Sequence, residues 1–367
     1  MQGLFAYRQS IAANLLIAKQ YIESVFSPDL NSMEVQDPVK LAQERKMCLA
    51  VFEKNLKNKY FQPEDGNKIN ETASDALRDF YKANDRDYLN VKKSLLKDTN
   101  KILDLFNLLL NLPAEFKHLA ENDKRGNHQN YVNNLLIKAL SLNKENESAT
   151  LANSFRWENH LSDVKEWFRT TLMADEKYQA YNQLEKPSFE DDREIATHIM
   201  KKCVFSNELI NTFMEELDLY WDENKPVIRS LILKTIKGVE EEGSEEMKLP
   251  ELSYNWEDDK SFFVKLYEET VNLDDRYKEI IGLKAENWDI ERLAVTDRII
   301  LEMAIAEMLC FPSIPIKVTI NEYIEVSKRY STPKSKQFIN GMLDVIADQL
   351  VAEGDVTKSG RGLLDNK

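Results

Sequence analysis

Apolar residues recur every three or four positions almost throughout the chain, and the strict alternation that marks a half-buried strand is scarce. Leu89, Leu96, Leu103, Phe106 and Leu110 form one stripe, while Lys92, Lys93, Lys97 and Lys101 fall largely on other faces. This predicts an amphipathic helix from Tyr88 to Leu112, ended by Pro113. The same spacing predicts helices over Met1 to Phe26, Val39 to Tyr60, Tyr131 to Leu142 and Leu161 to Met173, with the Asn-rich stretch Glu121 to Asn134 a loop that opens into a helix. Towards the C-terminus, Ile290, Leu293, Ala294, Ile300, Leu301, Ala304 and Met308 share one helix face that stops before Pro312. Pro315 opens the next segment, with Ile320, Tyr323, Ile324 and Tyr330 at helical spacing. Thr332-Pro333, a hydroxyl cap followed by proline at the first helical position, starts a last helix through Phe338, Met342, Leu343, Ile346 and Leu350 to a stop at Gly354. The tail from Asp355 to Lys367 is expected to be disordered. The fold class that follows is all-α.

Asp191, Asp192, Val204, Trp221 and Asp222 match Asp258, Asp259, Val271, Trp288 and Asp289 at one offset of 67. A duplicated helix pair and shared amphipathic patterning both account for so short a match. Between the two stretches, Glu240 to Glu246 repels itself and contains Gly243, as a solvated connection does.

Length and composition narrow the classes. The chain has 367 residues, enough for two domains, and 43% apolar with 31% charged residues is a globular balance. There are 10 Gly and 10 Pro, where average usage would give roughly 26 and 18, and so few turn residues suit long helices. A formal charge of -14 opposes indiscriminate binding to nucleic acid, so any such site must be a local basic patch. Cys48, Cys203 and Cys310 lie far apart without a CxxC or a secretory leader, which argues against a disulfide framework and for the reducing cytoplasm. Runs such as Leu108 to Leu110 fall far short of the ~20 residues that span a membrane. There is no Gly-rich phosphate loop, HExxH or GxSxG, and His118, His128, His160 and His198 are scattered, so no catalytic residue, metal or cofactor is expected.

From Pro315 to Gly341 the basic residues Lys317, Lys328, Arg329, Lys334 and Lys336 face only Glu322 and Glu325, a local charge of +3. Lys328, Arg329, Lys334 and Lys336 bracket the start of the last helix, where unpaired N–H groups and the helix dipole favour an anion. Ser331, Thr332 and Ser335 add hydroxyl donors. Tyr330 and Phe338 lie near enough for base stacking, worth about 1 to 3 kcal/mol per base. The other reading is a solvated helix end with Phe338 partly in the core. Asp297 falls on an otherwise apolar stripe and must be hydrogen-bonded or lie at an interface, because burying it unpaired is costly.

Trp288-Asp289-Ile290-Glu291-Arg292-Leu293, Asp297-Arg298-Ile299-Ile300-Leu301, Ala304-Ile305-Ala306-Glu307-Met308-Leu309, Ile314-Pro315-Ile316-Lys317-Val318-Thr319-Ile320-Asn321-Glu322 and Ser331-Thr332-Pro333-Lys334-Ser335 through Phe338-Ile339-Asn340-Gly341-Met342-Leu343-Asp344 resemble, in order, the C-terminal half of the NusB family. Gln2-Gly3-Leu4-Phe5-Ala6-Tyr7 resembles the end of that family's first helix, and Asp258 to Ile281 the helix preceding the C-terminal half. The resemblance implies a non-enzymatic, all-α factor of two small helical subdomains. It further implies binding of single-stranded boxA RNA in ribosomal RNA leaders, with the ribosomal protein NusE, in an RNA polymerase antitermination complex and not at a membrane.

On this resemblance Lys334, Lys336, Phe338 and Asn340 fall at RNA-contacting positions, with Arg329 beside them, and Phe5 at an aromatic position near the RNA and partner surface. Asp297, with Arg298, falls at the partner interface. The family's arginine-rich stretch before the first helix has no counterpart, so either translation starts upstream or one RNA contact is lost. The expected organisation is a first helix over residues 1–26, a helical insertion over 27–187, a NusB-like domain over 188–353 that includes the repeat, and the tail 354–367. Two other classes stay in view. One is a helical protein scaffold with weak or lost RNA binding. The other is an enzyme, since NusB-like domains also occur fused to RNA cytosine methyltransferases; the Gly-rich loop and catalytic Cys that it needs are not in the sequence.

Overall fold

Among the described residues, 1–29, 35–63, 66–242, 244–286 and 293–366, the computed structural model contains helices and turns and no strand. In chain order the helices are α1 (Gln2–Val25), α2 (Pro38–Lys54), α3 (Lys68–Asn122), α4 (Gln129–Val132), α5 (Leu135–Leu142), α6 (Lys144–Ala152), α7 (Leu161–Trp167) and α8 (Glu176–Tyr181). Then follow α9 (Phe189–His198), α10 (Glu208–Leu217), α11 (Trp221–Gly238), α12 (Trp256–Val271), α13 (Asp275–Glu286), α14 (Val295–Cys310), α15 (Ile316–Tyr330) and α16 (Pro333–Ala352). One π-helical turn, Phe168–Leu172, extends α7, and a second, Ile199–Val204, extends α9. None of these helices is long and apolar enough to cross a membrane. The chain divides into two compact units, residues 1–96 with 257–367 and residues 97–256, and these divisions fall elsewhere than at 26 and 187.

Pro113 does not end its helix; it lies inside α3. Proline in a helix interior costs about 3 kcal/mol. Around it Leu105, Leu109, Leu112 and Phe116 are buried in the core of residues 97–256, and each such side chain contributes about 1.5 to 3 kcal/mol. Burial of the stripe therefore outweighs the lost hydrogen bond. The predicted helix Tyr131 to Leu142 is broken into α4 and α5, because Asn134 turns its side chain onto the Ile137 N–H (2.9 Å) and caps a new start.

In the larger unit α14 is the central helix, buried from Ile299 through Met308 without interruption. Two carboxylates come with it, and both are satisfied. Glu302 is paired with Arg8 of α1 at 2.5 Å, while Glu307 accepts from the Thr319 hydroxyl (2.8 Å) and the Tyr323 hydroxyl (3.0 Å) of α15. Burial raises the Glu307 pKa above the ordinary carboxylate range, against the pull of those two hydrogen bonds. The folded protein thus holds this proton more tightly than the unfolded chain does. Stability accordingly falls as pH rises from about 4.3, the unfolded value, through the raised folded one. Glu307→Gln should abolish that fall, so that its Tm exceeds the wild type's above the window and matches it below. A pH series of melting curves checks this; parallel curves would contradict it.

The tail is placed too. Helix α16 closes where Gly354 takes a φ of +76°, and Asp355 and Val356 donate their N–H groups back to Leu350. Lys358 then donates to the carbonyls of Met308 (3.0 Å) and Phe311 (3.1 Å) at the end of α14, and Ser359 N–H to Pro312 (2.9 Å). A 3-10 turn, Gly360–Asn366, follows. Glycine is what lets the backbone approach, since a Cβ on Gly362 would sit 2.0 Å from the Pro312 oxygen. Gly362→Ala should release the tail, seen as faster amide exchange after residue 356 and faster tryptic cleavage after Arg361. Unchanged protection would refute the docking.

In the smaller unit one core joins the second part of α3 to α5, α7 and α9 through α11. The interval of 67 reappears in the helix bounds: Phe189 and Val204 limit one helical stretch, Trp256 and Val271 another, and Glu208 and Asp275 open the next helices. Ile199 and Leu266, Met214 and Ile281, and Ile232 and Ile299 are buried pairwise at that interval. Both first helices carry acids in their first turn, where the dipole favours them. Trp288 and Asp289 lie outside the described residues.

Candidate nucleic-acid interface

The junction of α15 and α16 is built from three local choices. Ser331 breaks α15 with an extended backbone, Thr332 accepts the Ser335 N–H (3.3 Å) as N-cap, and Pro333 opens α16 with no N–H to leave unsatisfied. The Ser331 hydroxyl donates to Asp297, whose carboxylate is 4% exposed in the first turn of α14. Of the two readings of Asp297, the structure shows a core hydrogen bond that ties the start of α14 to the start of α16. It presents no open carboxylate to a partner. Arg298, the next residue, is exposed at the same end of the unit.

Lys328, Arg329, Lys336 and Asn340 are exposed, and Asn340 stands one turn beyond Lys336 on the same face. Lys328 donates to Glu325. That hydrogen bond, with the charges of Lys328, Lys336 and Arg329, holds the Glu325 carboxyl below its usual range. All three cations thus lie near enough to Glu325 to favour its charged form. Lys317 is not among them, since twelve residues of helix place it about 18 Å from Arg329. Lys334 belongs to the first turn of α16, and its side chain lies outside the described residues, as does the Trp288 to Arg292 segment.

Phe338 is a correction to the expected stacking role. It is 5% exposed and packs in the core with Met342, Leu343 and Ile346, one and two turns along the apolar stripe, so no base can reach its face. Phe5 keeps 37% of its surface exposed, between the buried Leu4 and Tyr7 of α1.

Sequence reasoning missed Arg8. Besides pairing with Glu302, it lines a cleft of 520 Å³ with Gln9 and Ala12 of α1 and with Leu293, Val295, Arg298 and Ile299. The cleft thus carries two guanidinium groups. One signal was present: Arg8 is the sole cation before Lys19 in an otherwise apolar helix.

A model of the NusB family matches residues 226–348, which hold α12 through α15 and most of α16. The chain is 44% identical over 105 residues to the transcription antitermination protein NusB of Salinibacter ruber, covering 29% of this chain and 66% of that one. It is 48% identical over 85 residues to the NusB of Chloroherpeton thalassium, covering 23% and 40%, and 42% identical over 97 residues to that of Koribacter versatilis, covering 26% and 66%. The chain thus spans just under two thirds of the first relative's length and less of the second's. No solved structure matches it. Residues 226–348, which carry the basic junction of α15 and α16, match the NusB family, and a long helical region precedes them.

Proposed function

We propose that the exposed junction of α15 and α16 holds single-stranded RNA of the boxA type, and that the chain acts with the ribosomal protein NusE in a transcription antitermination complex. The observation that carries this is the exposure of Lys328, Arg329 and Lys336 about a capped helix start, in a chain of charge -14. A phosphate there meets exposed cations beside the positive end of a helix. Asn340 supplies an amide on the same face, and Phe5 an exposed aromatic ring on the same unit. Asp297 acts by holding the junction in place, and Arg298 is the residue of that pair that offers itself to a partner. The relatives are named transcription antitermination proteins, which supports the same reading.

Residues 189–238 then read as a second copy of 256–305, one that α15 and α16 do not follow. On this account the smaller unit has the scaffold but no counterpart of the basic junction. A gel-shift titration at fixed salt, with boxA and scrambled RNA and with or without NusE, tests the proposal. Preference for boxA, tightened by the partner, is expected, because the acidic body repels RNA and the partner supplies positive surface. Equal and weak shifts for both RNAs would overturn it and leave the helical scaffold as the better reading.

A further inference from the structure

Histidine, cysteine and aspartate come together at one place in the smaller unit that RNA binding does not use. Asp175 caps α8, accepting the Tyr178 N–H at 2.8 Å. His198 ends α9 and sets its Nε2 2.9 and 3.0 Å from the two Asp175 oxygens. Cys203, 3% exposed, belongs to the π-helical turn that follows. One ligand atom from each of the three lies within 4.8 Å of the others.

The local backbone is what brings them together. In a regular α-helix residues five apart point about 140° away from each other. Past His198 the helix instead makes a bond from the Phe205 N–H to the Met200 carbonyl, five residues back, and both side chains reach Asp175. Single π turns of this kind are found at functional sites more often than chance allows. The helix that matches at the interval of 67, Trp256–Val271, is regular throughout, with Lys265 and Thr270 at the two positions.

We propose that Asp175, His198 and Cys203 bind one zinc ion, with solvent as the fourth ligand. Carboxylate oxygen, imidazole nitrogen and thiolate sulfur are the three donors zinc takes, at about 2.0 to 2.3 Å, whereas calcium and magnesium call for oxygen alone. Tetrahedral bonds of that length put donors roughly 3.3 to 3.8 Å apart, a spread the three atoms reach by small side-chain rotations. Coordination replaces the thiol proton, which leaves to solvent, and a thiolate with a carboxylate neutralises the dication. Access exists, because His198 opens on a cleft of 380 Å³. Four cations line it, Lys177, Arg193, Lys201 and Lys202, of which Lys177 is paired with Glu194 and Arg193 with Glu190.

The test uses the full chain, stripped with a chelator and titrated with Zn²⁺ by calorimetry and with Co²⁺ by absorption. One ion per chain and a sulfur-to-cobalt charge-transfer band are expected. Cys203→Ser should abolish the band and weaken zinc by a hundred-fold or more, beyond the roughly 10- to 100-fold that loss of an outer partner costs. His198→Gln keeps a donor to Asp175, so it serves if the cysteine variant fails to fold. Absence of the cobalt band in the wild type, or its survival in these variants, would overturn the site.

Discussion

Reversing two charges, Arg329→Glu with Lys336→Glu, should weaken single-stranded RNA binding on the order of a hundred-fold while leaving the fold intact. Each charge-assisted hydrogen bond to phosphate contributes about 1.5 kcal/mol, and two of them amount to about 3 kcal/mol. The salt dependence should change with it, since each phosphate contact adds about 0.7 to the slope of log K against log salt for single strands. The double variant should therefore lose about 1.4 from that slope. Both residues are exposed, so the melting temperature should hardly move. Lys317→Glu, on the far end of α15, reverses one charge away from the patch and should cost little. Anisotropy titrations at several salt concentrations read the affinity and the slope, a melting curve reads the stability, and equal losses per charge reversed from the control and the double variant would mean that net charge, not this patch, governs affinity.

Arg8→Met should destabilise the larger unit strongly. It leaves the Glu302 carboxylate, 2% exposed, without its cation. Removing one partner of a fully buried pair costs about 3 to 5 kcal/mol. The Arg8 side chain is a third exposed, so water replaces part of what it provides and about 2 to 3 kcal/mol is expected. Adding Glu302→Gln should restore much of the loss, because the group then needs a hydrogen bond but no countercharge. The readout must belong to the right unit. Four of the five tryptophans, Trp157, Trp167, Trp221 and Trp256, fall within residues 97–256, so amide exchange along α14 reports this change and tryptophan fluorescence does not. No recovery in the double variant would show that Arg8 acts through its aliphatic packing.

The all-α architecture was legible because periodicity and punctuation agree: Thr332, Pro333, Pro315 and Gly354 each stand where their chemistry starts or stops a helix. Pro113 was misread because a local rule met a long-range one. The burial of Leu105 through Phe116 depends on α5, α7 and α9, which no window around the proline contains. The same limit hid the partners of the buried acids, since Asp297 bonds a serine 34 residues on and Glu302 an arginine 294 residues back. Phe338 is instructive for the opposite reason: its spacing from Met342 and Ile346 already marked it as core, and its nearness to the basic residues, with the family resemblance, drew it to the RNA. His198 and Cys203 formed no motif because five is not a helical interval until a π turn makes it one. The basic patch was legible as composition, while its division into a trio near Glu325 and a distant Lys317 needed helix geometry.

Photo-crosslinking of a boxA oligonucleotide to the full chain, with the attached residues mapped by mass spectrometry, tests the central claim most directly. The account predicts crosslinks concentrated between residues 328 and 340, with a second group near Phe5, and their loss in the double charge reversal. Crosslinks confined to residues 97–256, or spread evenly over the surface, would contradict it.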